Sequence, residues 1–275
     1  MIYLILAVLS SALVGITMRL GKNYCKNDLS MLAVNYVCCT LLAGISTGAG
    51  NFVIEKTSIG LGVIQGILYL ASFILYQYNI QENGVVLSAT FMKLGVLVPT
   101  LAAVILFGEQ PTSLQLLGVG LSLFAIIIMN YQKGEGGFHF KMSLLFLLLA
   151  GGVTDVMAKV YEQYGDAGRK DQFIFYTFCI AMILCIALAL YKKEKLTGKD
   201  VLWGVVIGVP NYFSAVFLLR AIHHVLATIA YSSYSVGTIA CTTLVGVFVF
   251  REKLSKKQMA GLFIILIALI CLNFN

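Results

Sequence analysis

Charge is what this chain has least of. Only 11% of its residues are Asp, Glu, Lys or Arg, while 60% are hydrophobic. The polar stretches are too short to build a domain outside a bilayer, which argues against a soluble enzyme or binding module. Catalytic signatures are missing as well. With no GxxxxGK[ST] loop there is no nucleotide cradle, and neither HExxH nor GxSxG occurs, so direct ATP hydrolysis and those hydrolase chemistries are not expected. The seven cysteines (Cys25, Cys38, Cys39, Cys179, Cys185, Cys241 and Cys271) show no paired CxxC spacing and are odd in number. They read as small apolar packing residues, so no disulfide framework, metal or cofactor is expected. The net charge of +7 comes without a basic surface that could seat a strand or duplex, and nucleic acid is not expected as a partner.

What is present is apolar sequence in lengths that suit a membrane. Mean hydropathy is +0.93, and ten spans can be read, at about 2–20, 30–48, 58–79, 84–107, 113–131, 141–163, 172–191, 201–220, 225–249 and 256–274. Each is long enough to cross the hydrocarbon core as a helix with its backbone satisfied internally. The first span lacks a basic leader and ends at Arg19 and Lys22 rather than a small-residue cleavage site, so it reads as a mature helix and not a signal peptide.

The spans repeat. Residues 107–130, FGEQPTSLQLLGVGLSLFAIIIMN, return at 250–273 as FREKLSKKQMAGLFIILIALICLN, a separation of 143 positions. Phe107/Phe250, Glu109/Glu252, Gln115/Gln258, Gly118/Gly261 and Asn130/Asn273 coincide, and the same register pairs Thr100 with Thr243, Leu75 with Leu218 and Tyr69 with Tyr212. An odd number of spans per copy makes the second copy enter the membrane facing the other way. The expected fold is therefore an all-α integral membrane protein of ten transmembrane helices in two inverted five-helix repeats, 1–131 and 141–275, joined by the Gly- and charge-bearing linker 132–140. Loops one, five, seven and nine hold Arg19, Lys22, Lys26, Lys133, Lys141, Lys192, Lys193, Lys195, Lys199, Arg251, Lys253, Lys256 and Lys257, against Lys56, Arg169, Lys170 and Arg220 in the even loops. By the positive-inside rule the odd loops face the cytoplasm and both termini lie outside.

The tandem Phe-x-Glu followed by Gln and Gly at Phe107, Glu109, Gln115 and Gly118, and again at Phe250, Glu252, Gln258 and Gly261, resembles the EamA-like branch of the drug/metabolite transporter superfamily. The resemblance covers nearly the whole chain and implies a common architecture with diverse cargo. In several relatives both termini are expected in the cytosol, and the loop charges here depart from that.

The motif reads as structural: a carboxylate at Glu109 or Glu252 favours a nearby helix N-terminus, Pro111 reinforces a helix start, and Gly118 and Gly261 permit close packing in lipid. Chemistry is expected where charge enters apolar spans, because an isolated charge there costs at least a few kcal/mol and usually meets a cavity or partner. Lys93 is the deepest such group. Asp155 and Lys159, four residues apart, share a helix face and could pair, or Asp155 could exchange a proton. Arg19 closes the first span as an interface or gate residue. Tyr69, Tyr76, Gln77, Asn211, Tyr212, Ser214, Tyr231 and Tyr234 supply a substrate-binding surface, with Tyr69 and Tyr212 at equivalent positions. Pro99 and Pro210 are kink candidates. His223 and His224 read as interfacial.

These features suit a secondary transporter of a small polar or amphipathic organic metabolite in the cell membrane, working by alternating access, with protons a candidate coupling ion and a monomer or homodimer sufficient. A lipid flippase or scramblase on the same fold is the alternative. Weaker is a membrane enzyme acting on a lipid-linked substrate through Asp155 and a histidine.

Overall fold

The computed structural model describes residues 2–25, 27–48, 55–98, 112–130, 132–134, 137–139, 141–224 and 227–273. Among these the helices are α1 (Ile2–Gly21), α2 (Asp28–Thr47), α3 (Lys56–Lys93), α4 (Ser113–Asn130), α5 (Met142–Tyr164), α6 (Lys170–Tyr191), α7 (Gly198–His224), α8 (Ala227–Phe248) and α9 (Lys256–Asn273). Short 3-10 turns follow α3 at Leu94–Val96 and precede α6 at Ala167–Arg169. The segment between the repeats carries one short antiparallel pair, β1 (Gln132–Gly134) and β2 (Gly137–His139), a small departure from an all-helical chain.

Five of the described helical stretches are long and apolar enough to cross a membrane: Ile2–Gly21, Asp28–Thr47, Lys56–Val96, Lys170–Tyr191 and Gly198–Ala221. Ser113–Ile128, Met142–Met157 and Ser233–Phe248 are shorter apolar helices. The spans expected at 58–79 and 84–107 correspond to two helical arms of α3, the second described as far as Val98, that meet at a kink at Gly84. Its φ of 84° and ψ of 168° lie in a region essentially closed to residues with a Cβ.

Helix starts are fixed locally. Thr112 N–H donates to Gln115 Oε1 at 3.0 Å while Gln115 N–H donates to Thr112 Oγ1 at 3.3 Å. Ser255 and Gln258 repeat the arrangement at 2.8 and 3.2 Å before α9. Both are capping boxes, in which two otherwise unpaired backbone donors are satisfied reciprocally. The glutamine of the repeated motif thus starts its own helix, a role written locally in T-x-x-Q and S-x-x-Q.

Packing is reciprocal between the repeats. α1 lies against α7 and α8, as α5 lies against α3 and the turn that follows it; α2 meets α7 as α6 meets α3; α2 packs on α6 and α4 on α9. Such pairwise exchange is what a two-fold relation between two copies produces. Apolar lipid offers little hydrophobic drive for helix association, so close backbone approach must supply it. A Cβ on Gly66 would stand 2.6 Å from the Thr177 carbonyl oxygen, and one on Gly208 would stand 2.9 Å from that of Asn35. Gly62-x3-Gly66 against α6 and Gly204-x3-Gly208 against α2 are therefore equivalent tight seams. Gly118 and Gly261 are both buried, on the mutually packed α4 and α9. Pro210 sits inside α7 without ending it, and the Cys39 thiol donates to the nearby Gly208 carbonyl at 3.3 Å.

Candidate functional site

One cavity of about 150 Å³ opens among α1, α3, α5, α6, α7 and α8. From α3 it is lined by Gln65, Tyr69, Phe73, Tyr76, Met92 and Lys93. Tyr76 and Lys93 would stand roughly 25 Å apart on one straight helix at 1.5 Å per residue. They share a cavity because the chain folds back at Gly84. The first four of these recur at spacings of three and four, the stripe of one helix face. That pattern could have added Gln65 and Phe73 to the expected tyrosines.

Oppositely charged groups face the cavity from the two repeats. Lys93 Nζ sits 3.9 Å from the centroid of the Tyr234 ring, a cation–π contact worth about 2 kcal/mol when desolvated. Asp155 reaches the same space from α5. Among the described residues the ion pairs are Arg19–Glu252 and Arg169–Asp166, so Lys93 and Asp155 share the cavity without closing on each other. Lys159, the expected helical partner of Asp155, has a side chain outside the described residues, as does Tyr231.

Polar side chains surround this pair. Tyr69 OH donates to Asn211 Oδ1 at 2.8 Å, and Asn211 Nδ2 donates to Asn35 Oδ1 at 3.1 Å, tying α3, α7 and α2 together. Ser214 Oγ and Tyr234 OH are 2.9 Å apart, as are Ser72 Oγ and Thr154 Oγ1. Tyr69 stacks on Phe73 at 4.9 Å and meets Phe178 edge-on at 5.4 Å. Gln65 Oε1 is buried without a hydrogen-bond partner among the described residues, an acceptor that membrane burial makes costly to leave empty.

The cavity thus gathers Tyr69, Tyr76, Lys93, Asp155, Asn211, Ser214 and Tyr234. Gln77 is buried but does not line it. Tyr212, the sequence equivalent of Tyr69, is also outside the lining. Among the lining residues not anticipated are Ser11, Gln65, Phe73, Thr154, Phe173 and Thr177.

Beyond the cavity, the turns between α1 and α2 and between α6 and α7, the Gly84 break, and the loop from α8 to α9 meet at one end, called the basic face here. Asn27 Nδ2 donates to the Lys195 carbonyl at 2.5 Å, and Ser30 N–H donates to Glu194 Oε2 at 2.9 Å. Lys141 Nζ donates to Asn83 Oδ1 at 2.7 Å. The Cys25 thiol, between α1 and α2, donates to the Lys199 carbonyl at 3.6 Å, and its pKa is pushed up to about 12 by burial and then by the neighbouring Asp200 carboxylate. It stays protonated and unreactive at neutral pH. At the opposite end Tyr161 OH lies 3.2 Å from Ser58 Oγ and donates to the Asp166 carbonyl at 3.1 Å.

Glu252 differs from its expected role. Its carboxylate does not serve the helix that follows it; Oε1 accepts from Val85 N–H at 2.7 Å and Oε2 from Val86 N–H at 3.1 Å. It caps the arm of α3 that restarts after Gly84, in the other repeat. Glu109 and Pro99 lie outside the described residues.

Paired, reciprocally packed apolar helices around a charged internal cavity define a membrane transporter architecture. The profile of the EamA-like transporter family matches residues 1–131 and 141–274, and the chain belongs to that family. It is an integral protein of the cell membrane. An uncharacterized protein of Haemophilus influenzae is 25% identical over 287 residues, covering 98% of this chain and 97% of that one. An uncharacterized transporter of the same organism is 35% identical over 135 residues, covering 46% of this chain and 43% of its own length. A solved structure titled only as the crystal structure of a protein shares the fold, with a TM-score of 0.57 at 17% identity over 98% of this chain and 95% of that one.

Proposed function

We propose that the chain is a secondary transporter that carries a small polar or amphipathic organic solute by alternating access between two inverted five-helix halves. One observation carries the reading. Lys93 from the first repeat and Asp155 from the second face a common cavity without forming an ion pair, and charges this deep are retained where a ligand or pathway needs them. Tyr69, Asn211, Ser214 and Tyr234 supply hydrogen bonds, Tyr76 bounds the space toward the basic face, and the phenylalanines supply an apolar wall. Such a lining suits a solute with both a polar and an apolar part. Asp155 would take up a proton when the solute leaves, coupling the two fluxes. With the basic face in the cytoplasm, the end where these turns and the Gly84 break meet would be the inner gate.

The test is thermal stability of the purified protein in detergent across a metabolite library, comparing wild type with Lys93→Met. A ligand that binds only the folded state raises the melting temperature by mass action, by an amount equivalent to about 2.7 kcal/mol at a hundredfold excess over Kd. A hit abolished by Lys93→Met supports the central site. Well-folded protein with no hit, but with lipid-dependent shifts, would overturn the reading in favour of a lipid substrate.

A further inference from the structure

We propose that Glu252 is a latch at the basic face: a positioning residue whose grip on the broken helix α3 is released and re-formed as α1 moves. The proposal rests on the alternating-access reading and adds the identity of the gate. It begins with the break itself. At Gly84 one helix ends and another begins, leaving carbonyls unpaired on one side and N–H groups unpaired on the other. The two sides carry opposite partial charges. Each receives its complement from a different element. Lys22 Nζ, from the turn after α1, donates to the Gln81 carbonyl at 3.1 Å, while the Glu252 carboxylate takes the N–H groups of Val85 and Val86 at 2.7 and 3.1 Å.

Arg19 ties these together. Its Nε lies 3.9 Å from Glu252 Oε1, and the carboxylate is 10% exposed against 31% for the arginine side chain. So α1 holds both flanks of the break, one directly through Lys22 and one through the Arg19–Glu252 pair. The same helix lines the cavity at Ser11 and Val14, and a Cβ on its Gly15 would stand 2.3 Å from Tyr76 OH. The capped arm runs from Val85 to Lys93, so the latch sits at one end of a short rigid rod and the cavity lysine at the other. A movement of α1 that admits solute from the basic face must separate Lys22 from Gln81 and Arg19 from Glu252. It thereby loosens the cap that positions Lys93. The contacts at this end are charge-assisted and near water, and can exchange for hydration. The glycine seams between α3 and α6 and between α2 and α7 are backbone contacts with no such substitute.

Amide hydrogen exchange read by mass spectrometry on the full chain in lipid nanodiscs tests this without knowledge of the solute. Wild type, Glu252→Gln, Arg19→Gln and Lys22→Gln are compared, with peptides from the α3–α6 seam around 62–70 as the internal reference for an intact fold. The expected result is exchange at Val85 and Val86 at least tenfold faster in Glu252→Gln, and several-fold faster in Arg19→Gln and Lys22→Gln, with the seam unchanged. The last two variants do not touch those amides, so their effect reports coupling of α1 to the cap. If only Glu252→Gln accelerates exchange, Glu252 is a static cap and the latch is overturned. Acceleration of the seam to the same degree, or no change at residues 85–86 in any variant, overturns it as well. Because no ligand is involved, failure here leaves the ligand screen to decide the transport reading separately.

Discussion

Two kinds of contact hold the helices around the cavity together, and they differ in what could replace them. At the seams, Gly66 meets the backbone of α6 and Gly208 that of α2 at distances that leave no room for a Cβ. At the Gly84 break the partners are Lys22, Arg19 and Glu252, charged side chains that hydration can replace once they separate. The first kind is lost outright if the helices part; the second is exchanged. On the proposed alternating-access cycle, the first kind would hold the halves together and the second would part when one end opens.

The comparison breaks most visibly at the seams. Gly66→Ala and Gly208→Ala force overpacking against backbone atoms, with an expected cost of about 1–3 kcal/mol each and a fall in melting temperature of roughly 5 °C or more in detergent. Gly60→Ala and Gly120→Ala are the controls, since a Cβ at either would meet nothing within 4 Å; these should leave the protein as stable or slightly more so. Equal losses at all four positions would show that the seams are not special.

A smaller effect is expected at the repeated capping boxes. Ser255→Ala removes the acceptor for Gln258 N–H and should cost about 1 kcal/mol, visible as faster exchange in the first turn of α9 alone. Spread of that exchange into α4, its packing partner, would show that the cap supports the helix pair and not just a helix end.

The smallest effect lies at the end away from the basic face. Asp166 is held below the usual carboxylate range by the Gly168 N–H and then by Arg169. A depressed carboxylate stabilises the fold at neutral pH, and that contribution is lost as pH falls below about 4 toward its folded-state value. The group is exposed, so Asp166→Ala should lower the melting temperature at pH 7 by about 1–2 °C. At pH 3 the difference from wild type should narrow. A difference that grows on acidification would contradict this sign.

Much of the architecture was legible because lipid imposes it. Apolar runs must be helical, so composition alone indicates the class, and the 143-residue recurrence of the Phe-x-Glu motif reveals two copies. Lys93 and Asp155 were conspicuous for the same reason, as charges where the solvent is hydrocarbon. Gln65 was less so, because an amide in an apolar stretch is ambiguous until the Tyr69–Phe73–Tyr76 face is known to border a cavity. Tyr69 and Tyr212 show the limit of repeat logic: identical position and residue, yet only Tyr69 lines the cavity.

The sequence by itself determined the membrane class, the duplication and the depth of the charged residues, since each follows from local composition and spacing. Only the tertiary structure decided that the break between the third and fourth spans falls on Gly84, that Lys93 and Asp155 face one cavity, and that Glu252 caps a helix 166 and 167 positions away in sequence. Those outcomes depend on which backbone ends and charges are brought within hydrogen-bond reach, and distance through space is not encoded in any one stretch of the chain.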